Sequence, residues 1–145
     1  MKAYFRDTPP APVWNHGDLW PANMIANGQG DRLTGVVDWS YSERAGIPLA
    51  DLLQLLLVTK GQAVQRSFSQ LLADRMTTGR FDNDEQAFVD EYCAKLSIPK
   101  DSIWALAALA WIDWIYRRSP IRGALVSWRR SEIDGFLDVV ANDLR

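Results

Sequence analysis

The sequence predicts a single α+β domain, mainly α, on three observations. A turn-rich stretch, "HGDLWPAN" at 16–23, leads into two short apolar runs separated by "GQGD". From Pro48 onward, apolar residues recur at helical spacing. The chain has 145 residues, 48% of them hydrophobic, enough for one core spanning 1–145.

Taken in order, residues 1–13 contain "DTPPAP", and prolines that disfavour helix make this an extended strap. Residues 14–39 form a loop and a β-hairpin. Within them "NMIAN" and "RLTGVVDW" pair across a turn on Gly28 and Gly30, which places Asn23 and Asp38 near the open end. Leu33 stands where a dinucleotide fingerprint needs its third glycine, so these glycines are not read as one. Residues 48–145 form a helical body of about five helices. The first carries a stripe of Leu49, Leu52, Leu53, Leu56 and Leu57, and the second Val64, Phe68, Leu71 and Leu72. Phe88, Val89, Tyr92 and Leu96 mark the third, which opens on the acidic "DNDE" that suits a helix N-terminus. The fourth, from Lys100 to Arg118, is apolar on several faces and is expected to be the central helix; Ile133, Phe136, Leu137 and Val140 mark the fifth.

A net charge of -2 offers no general attraction for nucleic acid or an anionic membrane, so neither is expected as a partner. Cys93 is the only cysteine and His16 the only histidine, which excludes an internal disulfide and the usual zinc clusters. A reducing, cytoplasmic setting is expected. The N-terminus lacks an apolar signal core, and Asp113, Arg117 and Arg118 interrupt the longest apolar run. Seven tryptophans imply a solid core or an aromatic-lined cleft; Trp20 and Trp39, beside the loop, suit either. "RRSPIRGALVSWRR" reads as a solvated helix end and loop, whereas Asp113, inside an apolar helix, demands a partner or a function.

His16, Asp18, Asn23 and Asp38 are separated by two, five and fifteen residues. The first three belong to one tight loop, and the hairpin returns Asp38 alongside them. Phosphoryl transfer needs one carboxylate to orient an attacking hydroxyl and accept its proton, and oxygen ligands for Mg²⁺. Asp18 suits the first role. Asn23 and Asp38 suit the second, because a carboxamide oxygen with one carboxylate holds a hard cation yet leaves it open to phosphate oxygens.

"HGDLWPAN" followed by "GVVDW" resembles the catalytic segment of the aminoglycoside phosphotransferase and choline kinase family, relatives of the protein kinases. "GIPLADLLQLL" resembles the family's later G-x-P-x-x-D segment, with Asp51 as its acid. The resemblance implies a protein-kinase-like C-terminal lobe that uses ATP and Mg²⁺ to phosphorylate a hydroxyl of a small molecule. Asp18 would be the catalytic base, Asn23 and Asp38 the Mg²⁺ ligands, and His16 a structural member of the loop. Asp51 would brace that loop through backbone amides, unless it only caps the helix beginning near Leu49. Acids from the region of Asp113 often meet cationic substrates in this family, so Asp113 joins Trp20 and Trp39 as a candidate cleft residue.

A glycine-rich loop and a phosphate-gripping lysine are not evident, so the N-terminal nucleotide lobe is expected to be absent, the chain to be a fragment or a solitary domain, and turnover alone to be negligible. Apolar surface uncovered by such a lobe would favour self-association. Two other readings compete: a catalytically silent kinase-like binding module, and a metal-dependent hydrolase using His16, Asp18 and Asp38. The hydrolase is disfavoured by the single histidine.

Overall fold

A computed structural model describes residues 10–118 and 126–143. Two small antiparallel pairs are nested in its first third. Strand β1 (Val13–Asn15) pairs with β4 (Glu43–Gly46), and between them β2 (Met24–Ala26) pairs with β3 (Leu33–Val36). The helices are α1 (Ala50–Val64), α2 (Phe68–Thr78), α3 (Asn83–Lys95), α4 (Ile103–Arg118) and α5 (Val126–Asp143). The described residues are therefore α+β and mainly α.

The β2–β3 hairpin closes as its turn residues dictate. The Asn27 amide donates to the Arg32 carbonyl at 2.9 Å, and Gly30 takes a positive φ of 76° that favours glycine. Gly28 does not share that conformation. The β1–β4 pair was not expected. Its strands are too short to show a period, and their partners lie about thirty residues apart in sequence. Val13 thus begins a strand rather than ending a strap, and residues 1–9 of that strap lie outside the described residues. The Asn15 side-chain amide donates to the Ile47 carbonyl at 3.0 Å, tying β1 to the chain just before α1.

Leu49, Leu53, Leu57, Leu71, Leu72, Val89 and Leu106 are fully enclosed and form the centre of the core. Several expectations need correction. Val64 ends α1 and is exposed, so it is not part of the stripe of α2, which begins after the Ser67 N-cap. Phe88, Leu96 and Leu137 are also exposed. Helix α4 is not surrounded: Leu109, Ile112 and Tyr116 face outward. Helix α2 occupies the middle instead, with α1, α4 and α5 all packed against it. Apolar content counts side chains but not the neighbours available to cover them, which is why it overstated the centrality of α4.

A buried ion-pair cluster joins the first three helices. Arg75 donates from Nε to Glu85 at 2.8 Å and from a terminal nitrogen to its other oxygen at 3.1 Å, and it also reaches Asp82 at 2.9 Å. Lys60 of α1 pairs with Asp82 and with Glu85. Asp82 and Glu85 complete a capping box at the start of α3. The "DNDE" stretch thus caps a helix and neutralises two buried or half-buried cations. No helix among the described residues is long and apolar enough to cross a membrane.

Candidate active site

The loop that follows β1 is shaped by backbone before side chains. Gly17 sits at φ 81°, and a Cβ there would lie 2.3 Å from the Tyr41 carbonyl oxygen. Gly17→Ala is expected to cost about 2 kcal/mol or more, since it combines left-handed strain with a clash against backbone. A urea midpoint unchanged from the wild type would contradict this. Downstream, Pro21 opens a 3-10 turn over Pro21–Asn23, where its preset φ suits the first helical position.

Asp51 holds the loop from α1. Its two carboxylate oxygens accept the backbone amides of His16 at 2.6 Å and Gly17 at 2.9 Å. It does not cap its own helix: the N-cap position is Leu49, in the left-handed region, with no side-chain cap bond. The Leu49 amide instead donates to the Tyr92 hydroxyl at 3.3 Å.

His16 is 3% exposed and has both ring nitrogens engaged. The Val37 carbonyl can only accept, so Nε2 donates to it at 2.8 Å, and Nδ1 accepts the Asp18 amide at 3.3 Å. The Trp39 ring meets it edge-on at 4.6 Å. With both nitrogens bonded to the chain, His16 orients the loop.

Asp18 is half-buried and accepts four hydrogen bonds from three side chains. Gln54 donates to Oδ1 at 2.8 Å, and the Arg118 guanidinium pairs with the same oxygen. The Asn23 carboxamide nitrogen donates to the Asp18 carbonyl at 2.9 Å and approaches Oδ2 at 3.4 Å. The Asn23 carbonyl in turn accepts the Val37 amide at 2.9 Å, so the hairpin brings the residue preceding Asp38 against Asn23. Asp38 itself is exposed and left-handed, at φ 61°, a conformation that aspartate tolerates better than most residues. Ser40 donates to its Oδ1 at 2.7 Å.

By chemical type, a carboxamide oxygen and a carboxylate suit a hard divalent cation. The side-chain nitrogen of Asn23 is turned toward Asp18, leaving the carboxamide oxygen without a hydrogen bond among the described residues, and Asp38 likewise keeps Oδ2. Among the described residues no three His, Cys, Asp or Glu side chains cluster as a metal site, so any cation here would rest on a carboxamide and a carboxylate.

The aromatic and acidic cleft candidates separate. Trp39 is 48% exposed and contacts Trp14 edge-on at 6.3 Å, whereas Trp20 is half-buried. Asp113 accepts from Arg117 Nε at 2.6 Å, and Arg117 also pairs with Glu43, so this acid helps tie α4 to β4. Burial pushes the Asp113 carboxyl above the ordinary range, partly opposed by the Arg118 charge.

Two site residues escaped sequence reasoning. Arg118, expected at a solvated helix end, is 7% exposed, with its guanidinium 4.8 Å from the Trp114 ring centre. Ala110, Trp114 and Arg118 follow at intervals of four along the inner stripe of α4, and that continuation was the available signal. Gln54, 5% exposed, lies one turn after Asp51 on the face of α1 that meets the loop. Of the other arginines in that basic stretch, Arg122 lies outside the described residues, as does the side chain of Arg129.

Comparison with known families agrees with this arrangement. Residues 1–92 match the phosphotransferase enzyme family (APH), a stretch that contains the loop, the hairpin and Asp51 and ends within α3. No curated protein and no solved structure matches the chain. With more than half of its length matched, the chain belongs to the phosphotransferase enzyme family.

Proposed function

We propose that this chain is the protein-kinase-like C-terminal lobe of an ATP- and Mg²⁺-dependent phosphotransferase that acts on a hydroxyl of a small molecule. The observation that carries the reading is the bond from Asn23 to the Asp18 carbonyl at 2.9 Å, in a loop whose hairpin ties Val37, the residue before Asp38, to the Asn23 carbonyl. In this reading Asp18 orients the acceptor hydroxyl and takes its proton at Oδ2, because Oδ1 is held by Gln54 and Arg118. His16 keeps the Asp18 amide in place, and Asp51 keeps the loop closed. Asn23 and Asp38 would hold Mg²⁺, which when bound neutralises phosphate charge.

A silent binding module of the same fold is the second reading, favoured by the ion pair already made by Asp18. Titration calorimetry with ATP separates the two. The phosphotransferase reading expects saturable, Mg²⁺-dependent binding that weakens at least tenfold in Asp38→Ala. Binding indifferent to Mg²⁺ and to that substitution would leave only the module.

A further inference from the structure

We propose that Arg118 is a positioning residue for the Asn23 metal ligand and acts through Asp18. The inference rests on the assignment of Asn23 and Asp38 as cation ligands. It concerns a residue beyond the 1–92 stretch that carries the family match.

The relay is short and each link is directional. The Arg118 guanidinium is confined: it pairs with Asp18 Oδ1, approaches the Gly17 carbonyl at 3.5 Å, and lies 4.8 Å from the Trp114 ring centre and 5.7 Å from that of Tyr41. Gln54 donates to the same Asp18 oxygen at 2.8 Å. Together they hold Oδ1, which leaves Oδ2 to Asn23, whose nitrogen also bonds the Asp18 main-chain carbonyl.

A carboxamide can flip by half a turn with little change in shape, and only its hydrogen-bond partners decide which end points where. Two acceptors on Asp18 claim the nitrogen of Asn23, so the oxygen is left on the opposite side. Without Arg118, the half-buried Asp18 carboxylate would lose its charged partner and turn toward water, leaving the Asn23 carboxamide held by the Asp18 carbonyl alone and less firmly oriented. Partners that orient metal ligands change affinity by about 10- to 100-fold when removed; an effect passed through one intermediate residue should be smaller. One terminal nitrogen of Arg118 meets both Asp18 and the Gly17 carbonyl, so lysine would preserve the charge but not the flat guanidinium that lies over the Trp114 and Tyr41 rings and holds the group in place.

The test is a Mn²⁺ titration of the full 145-residue chain, read from the electron paramagnetic resonance signal of free Mn²⁺. The wild type should bind saturably, and Asp38→Ala should lose that binding. Arg118→Met should bind at least fivefold more weakly, with Arg118→Lys between it and the wild type. Arg75→Met, which breaks a buried ion pair elsewhere, should keep wild-type affinity and so separate positioning from general destabilisation. If Arg118→Met fails to fold, Arg118→Lys decides, with a loss greater than twofold expected. Wild-type binding that depends on Asp38 but stays within twofold in the folded Arg118 variants overturns this inference alone. No saturable binding by the wild type, or binding indifferent to Asp38→Ala, overturns the ligand assignment and the inference together.

Discussion

Asp51→Ala should destabilise the protein by about 3 kcal/mol, because two amides of a half-buried loop lose charge-assisted acceptors with no replacement nearby. The His16 and Gly17 amides bond to the two oxygens of this one carboxylate, at 2.6 and 2.9 Å. Asp51→Asn, which keeps one accepting oxygen, should lose about half as much. Urea unfolding measures the loss, and hydrogen exchange locates it: protection should fall first at those two amides. Asp38→Ala makes the contrast, since Asp38 is exposed and, among the described residues, its side chain is bonded to Ser40; its unfolding midpoint should change little, while the proposed cation binding should be lost. Equal stability of Asp51→Ala and the wild type would show that the loop holds its shape without α1.

Arg75→Met should cost about 3 kcal/mol, the lower end for removing one partner of a buried ion pair, because Lys60 remains beside Glu85. The same cluster makes stability depend on pH. Burial pushes the Glu85 carboxyl up, but hydrogen bonding and charge from Arg75, with Lys60, outweigh it and hold the group below its ordinary 4.5. The folded state therefore binds the proton less readily than the unfolded chain. This contribution is fully present above pH 4.5 and is lost as pH falls through the lower folded value. The wild type should lose stability on acidification across that window, and Arg75→Met should lose less, its Glu85 having surrendered the main cause of the shift. Parallel pH profiles for the two proteins would refute the assignment.

Much of the fold was legible because local chemistry and tertiary demand agreed. Gly30 and Asn27 close a hairpin that the flanking apolar runs already specified, and Ser67 and Asp82 begin helices where capping residues are expected. The β1–β4 pair was not legible, since strands of three and four residues show no period and their register depends on a distant partner. Helix α4 was misjudged for a related reason: its composition is apolar all round, yet Leu109, Ile112 and Tyr116 have no neighbour to cover them among the described residues.

At the candidate site, residue types and spacing pointed to His16, Asp18, Asn23, Asp38 and Asp51, because a loop and hairpin of this kind are written within a few dozen consecutive residues. Gln54 and Arg118 were not singled out. Arg118 lies one hundred residues from Asp18, and a cation at a helix end reads as solvated until the packing of Trp114 and Tyr41 closes over it.

By itself, then, the sequence determined the kind of chemistry and the family, since both follow from side-chain identity and short spacing. The tertiary structure alone decided which oxygen of Asp18 is already taken, which end of Asn23 is left outward, and which buried cation stands behind them. Those are matters of direction and burial, and both arise only when α1 and α4 pack against the loop.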